Sequence, residues 1–70
     1  MNLDELSAEM ARKHISIPEL AVRMKVSKKV LYSRFKGETS FKHDEICRII
    51  NILDLNQQKV LLIFFSDKVS

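Results

Sequence analysis

The chain is short of everything that interrupts or staples a polypeptide. Its 70 residues hold one glycine, one proline, one cysteine and no tryptophan. Cys47 stands alone, which excludes an intrachain disulfide, and His14 and His43 make no metal-ligand spacing with it. No metal is therefore expected. The longest apolar run is residues 60–65, far below the ~20 residues that cross a bilayer as a helix. The opening Met-Asn-Leu-Asp-Glu-Leu is acidic, where a secretory leader is basic and then apolar. A cytoplasmic protein without membrane contact is the expectation. No Ser/His/Asp set, phosphate-binding Gly loop or pocket of paired carboxylates is suggested, and so short a helical chain leaves little room for a closed site. The expectation is a protein that is not an enzyme and takes no cofactor and no small-molecule substrate.

What is present points to helices. Apolar residues make up 46% of the chain, mostly straight-chain or aliphatic types with few breakers among them. The length limits the chain to one domain, residues 1–70. Ordering costs roughly 1.5 kcal/mol per residue, so a dense core or a partner has to offset it. The net charge of +3 is unevenly spread. Residues 1–24 carry three bases and four acids, residues 25–48 seven bases and three acids, and residues 49–70 two of each. Lys25, Lys28, Lys29, Arg34 and Lys36 fall in a stretch without an acid. Such a patch attracts a polyanion, although charge alone does not separate a nucleic-acid face from a solvated lysine-rich surface.

Periodicity and caps predict five helices and no strand, a compact all-α domain. Leu3, Leu6 and Met10 share a face of a first helix near 3–13, with Asn2 as its cap. Ser16 and Glu19 have the spacing of a capping box for a second helix ending near Met24, and Pro18 fits its first turn. Ser27 caps a third, 28–35, and Gly37 supplies its left-handed stop. In that helix Lys28, Lys29, Tyr32, Ser33 and Lys36 fall on one side and Val30, Leu31 and Phe35 on the other. Arg34 lies inside the apolar sector, with its stem expected over the core edge and its guanidinium outward. Thr39 or Ser40 is expected to cap a fourth helix, built on Ile46, Ile49, Ile50 and Leu53, with Phe41 packing where it starts and Cys47 partly buried within it. Asn56 caps a last helix running to about Ser66. Residues 60–65 are apolar all round. Either this helix is central to the core, or one face packs inward while Leu61, Leu62 and Phe65 meet a second subunit. We favour the second, because solvent-exposed Leu and Phe in a row promote aggregation.

The second and third helices have the length and turn of a helix-turn-helix. Leu20 and Met24 are its inward residues, Ala21 its small contact, Val26 the turn plug and Leu31 the inward residue of the second helix. Two positions depart from the common pattern. Lys25 stands where the turn usually has glycine and must take a left-handed backbone. Arg34 replaces an apolar residue, and Phe35 is expected to supply the missing core contact.

On these residues the chain resembles the helix-turn-helix domains of the lambdoid repressor and Cro superfamily, the XRE-like group. More narrowly it is similar to small Cro-like and repressor-like proteins of phages and prophages in Gram-positive bacteria. The resemblance is carried by Ile-Pro-Glu-Leu-Ala (17–21), Val-Ser-Lys-Lys (26–29), Leu-Tyr-Ser-Arg-Phe-Lys-Gly-Glu (31–38), Phe41, Glu45-Ile46 and the closing stretch 63–70. It implies a lambda repressor-like DNA-binding domain whose helix 28–35 reads the operator major groove. By position, Lys28, Lys29 and Ser33 would read bases, with Tyr32 alongside at a thymine methyl or a phosphate. Lysines donate to guanine O6 and N7, so G·C pairs are expected in the half-site. Phosphate contacts would flank the helix: Ser16, Ile17 and Ser27 on one side, Lys36, Thr39, Ser40 and Lys42 on the other.

Two functions compete at this level. One is a sequence-specific transcriptional regulator, a repressor that binds a double-stranded operator as a weak homodimer, assembled if need be on the DNA. The other is a protein-interaction module that modulates a partner repressor through the apolar last helix.

Overall fold

Most helices begin where a side chain can take up a free amide of the first turn. In the computed structural model, which describes residues 1–65, α1 (Leu3–Arg12) starts behind Asn2, whose Oδ1 accepts from Glu5 N at 3.0 Å. Ser16 Oγ accepts from Glu19 N at 3.2 Å to open α2 (Ile17–Met24). Ser27 Oγ does the same for Val30 N at 3.1 Å, and α3 (Lys28–Phe35) follows. Asn56 Oδ1 accepts from Lys59 N at 2.8 Å before α5 (Gln57–Phe64). The remaining helix, α4 (His43–Leu53), has Lys42 at its cap and no short polar side chain there. Its start is held from the other direction, because Glu45 Oε1 accepts from Lys42 N at 2.9 Å. No strand occurs among the described residues.

Several expectations need correction. Thr39 and Ser40 do not cap α4, which begins at His43. Glu19 does not close a capping box; its carboxylate accepts from Arg23 at 2.8 Å. Cys47 is exposed, since the core side of α4 is filled by Glu45, Ile49 and Leu53. Helix α5 closes at Phe64, and the expectation about Ser66 lies outside the described residues.

Stops differ more than starts. Gly37 takes φ +81° just beyond α3, as its lack of a Cβ allows. Lys25, His14 and Asp54 also sit in the left-handed region, at φ 62°, 57° and 52°. Only the first of these was legible, from its place in the turn. Asp and His are among the side chains most often found there, which suits the other two positions.

The inward stripes meet in one core: Leu6 and Met10 of α1, Ile15, Leu20, Ala21 and Met24 of α2 and its approach, Leu31 of α3, Ile49 and Leu53 of α4, Ile63 and Phe64 of α5. Each fully buried aliphatic side chain contributes roughly 1.5–3 kcal/mol relative to exposure. Helix α2 packs on both α3 and α4, and α1 packs on α5. Polar ties cross these contacts. Asn2 N donates to the Ile63 carbonyl at 2.6 Å, and Arg48 Nη1 reaches from α4 to the Met24 carbonyl at 2.9 Å. Lys13 Nζ donates to the Leu53 carbonyl. Lys59 of α5 sits between Glu5 and Glu9 of α1, at 2.9 and 3.3 Å, and Arg12 pairs with Glu9 from the other side. Lys59, held chiefly by Glu5, titrates above its ordinary range, and Glu5, held chiefly by Lys59, below its own.

Candidate nucleic-acid interface

Helix α3 is presented as an outer element. Of its eight residues only Leu31 is buried. Lys28, Lys29 and Tyr32 are exposed, and Lys25 and Lys36 flank them at the two ends, exposed as well. Val30 is exposed too, a departure from its expected place on the apolar side, because the core is reached through Leu31 alone in that turn. Phe35 supplies the second inward contact, as its position suggested. It packs edge-on against Phe41, ring centroids 5.6 Å apart and planes at 83°.

What fixes the azimuth of α3 is a charged cluster that the sequence reading missed. Arg34 does not send its guanidinium outward. Its Nε lies 2.7 Å from Glu45 Oε1 and its Nη2 3.0 Å from Glu45 Oε2, a two-point contact between side chains 11% and 8% exposed. Planar fork-to-carboxylate pairing of this kind fixes geometry as well as distance. Nη1 of the same guanidinium donates to Thr39 Oγ1 at 2.8 Å, so α3, the loop after it and the first turn of α4 share one anchor. Glu45 is held below the ordinary carboxylate range, first by the Arg34 contact and then by the Lys42 amide, against the opposing effect of burial. Arg34 is correspondingly pushed up by Glu45. A signal for this pair was present: Glu45, Ile49 and Leu53 repeat every four residues, which places an acid on the apolar face of α4 opposite the unexplained arginine of α3.

Ser33, expected to read bases, is turned toward its own loop. Its hydroxyl lies 3.2 Å from Thr39 Oγ1 and 3.4 Å from Glu38 Oε1. Thr39, expected at a phosphate, is thereby engaged twice within the chain. Ser16 and Ser27 differ from these two. Each accepts a backbone amide, which leaves the hydroxyl proton free to be donated outward. Ser40 and Lys42 are exposed beside Lys36, and Ile17 is half-buried at the start of α2. The structure thus brings Lys28, Lys29 and Tyr32 onto one outer helix, with Ser27 at its start, Lys36 at its C-terminal cap and Ser40 and Lys42 on the loop beyond.

The last helix is not buried all round. Ile63 and Phe64 face the core, whereas Leu61, Leu62 and Phe65 are 52%, 42% and 69% exposed. Among the described residues no group of three or more His, Cys, Asp or Glu side chains could hold a metal ion, and no helix is long and apolar enough to cross a membrane.

A small all-α domain with a two-helix hairpin presenting an outer, lysine-bearing helix is the class of protein defined so far. The chain belongs to the family described as protein of unknown function (DUF739), whose model matches residues 2–67. No curated protein and no solved structure matches it.

Proposed function

We propose that this protein is a sequence-specific DNA-binding transcriptional regulator of the Cro-like type, reading the major groove of an operator with α3. The observation that carries the reading is the outer face of that helix, where exposed Lys28, Lys29 and Tyr32 stand in an acid-free stretch while Leu31 holds the helix to the core. Arg34 and Glu45 support it by locking the helix at a set rotation, as base readout needs side chains delivered in fixed register. Lys28 and Lys29 act as base readers at G·C pairs, with Tyr32 beside them. Ser33 contributes less than its position implies, since its hydroxyl is bound within the chain. Ser16, Ile17, Ser27, Lys36, Ser40 and Lys42 hold phosphates on either side, and Thr39 acts mainly through Arg34. Repression follows from occupancy of the operator, with a weak homodimer formed through Leu61, Leu62 and Phe65. The resemblance to phage and prophage regulators is part of the same proposal.

Selection from a random duplex pool, followed by binding at increasing salt, tests this reading. The expected result is a two-fold symmetric, G·C-containing site and an affinity that falls steeply with salt. Lys28→Ala and Lys29→Ala should each lose roughly 1–3 kcal/mol and relax the preference at one position. Binding without preference, or indifferent to salt, overturns it. The exposed Leu61, Leu62 and Phe65 favour a second reading, a module that docks on a partner repressor through α5. Copurification of a regulator with the wild-type chain and its loss in Leu62→Glu, without retention on duplex DNA, would establish that alternative.

A further inference from the structure

The turn between α2 and α3 puts a lysine where glycine would sit without strain. Val26 N donates to the Ala21 carbonyl at 3.1 Å, and Lys25 N to the Val22 carbonyl at 3.2 Å. Those two bonds close α2 in a Schellman motif, whose left-handed position is most often glycine. Lys25 holds that position at φ 62°. Arg48 Nη1 donates to the Met24 carbonyl at 2.9 Å, so the turn is also pinned from α4.

Strain held in place by its surroundings points to a use for the side chain, and nothing within the fold uses this one. Lys25 is exposed, and no ion pair or side-chain hydrogen bond engages it among the described residues. Two other cations at this turn are engaged. Arg23 pairs with Glu19 at 2.8 Å, and Arg48 faces Asp44 at 3.8 Å besides holding the Met24 carbonyl. Ser27, two residues on, opens the helix that carries exposed Lys28 and Lys29. Lys25 therefore stands at the end of α3 whose first residues reach base edges when such a helix enters the groove.

We propose that Lys25 is a further phosphate contact, holding the DNA strand beside the N-terminal end of α3, an inference that rests on the DNA-binding reading above. Placed on the turn and not on the helix face, it meets the backbone and carries no sequence information. With Lys36 beyond the other end, it brackets α3 with two cations. The charge is kept against the conformational preference of its position.

The test compares wild type, Lys25→Gly, Lys25→Gln and Lys25→Arg in a salt series on two duplexes, with urea midpoints measured alongside. One duplex is the site selected from the random pool and the other an unrelated sequence. Binding should follow the charge, and stability should follow the Cβ. Lys25→Gly and Lys25→Gln should each lose roughly threefold to tenfold in affinity at low salt, equally on both duplexes, with a log–log salt slope smaller by about 0.9. Lys25→Arg should bind as wild type does, and the urea midpoint should rise in Lys25→Gly alone. A wild-type chain that binds neither duplex overturns the DNA-binding reading and this contact together. Wild-type binding with an unchanged slope in Lys25→Gly and Lys25→Gln overturns the contact alone, as does a loss confined to the selected site.

Discussion

At position 25 a lysine holds a left-handed backbone, φ 62°, at the last carbonyls of α2. A Cβ in that region costs roughly 1–2 kcal/mol, and glycine avoids the cost while losing part of the gain to the entropy of the unfolded chain. Lys25→Gly should therefore stabilise the protein by roughly 1 kcal/mol, read as a higher urea midpoint at unchanged slope. Arg34 and Glu45 behave oppositely. Removing one partner of a largely buried pair strands the other's charge, so Glu45→Ala should cost roughly 3 kcal/mol, with a larger loss of α3 amide protection than of α1 protection in hydrogen exchange. The departure of Lys25 from glycine was readable because the motif names its position. The left-handed backbones of His14 and Asp54 were not, since no glycine marks them. Arg34 could be flagged as an anomaly from sequence, but its direction depends on which face of α4 comes to meet it.

Element by element, legibility follows the caps. Asn2, Ser16, Ser27 and Asn56 each stand one residue before the helix they open, and each was readable because a short polar side chain there has one good use. Helix α4 escaped this logic. Its first turn is tied by Glu45 from within the helix, while of the two residues expected to cap it Thr39 serves the Arg34 anchor and Ser40 is an exposed loop residue. Helix α5 had two readings because an all-apolar run has no face until its neighbours are placed. With Ile63 and Phe64 inward, Leu61, Leu62 and Phe65 are left outside. Leu61→Glu and Phe65→Glu should keep the melting temperature within a few degrees and abolish self-association at high protein concentration, as read by sedimentation. A large fall in melting temperature instead would show that this face serves the fold.

For the molecule as a whole, size and charge set the terms. Its longest principal extent is 32 Å, while consecutive major-groove faces on one side of a duplex lie about 34 Å apart. One chain offers one α3, so a symmetric operator requires two copies side by side. Acid should weaken the fold. Glu45 and Glu5 bind protons less readily when folded than when unfolded, so stability is complete above their ordinary pKa of 4.5 and falls as pH drops through and below it. Urea midpoints between pH 7 and pH 3 should show this decline, and Glu45→Gln should flatten part of it. The hydrogen bond from Asn2 N to the Ile63 carbonyl gives the fold a mechanical polarity. Tension applied between residues 2 and 63 loads that 2.6 Å contact and the α1–α5 seam first. The joint between α2, α3 and α4 lies off that line of force, so the first step under load is the parting of α1 from α5.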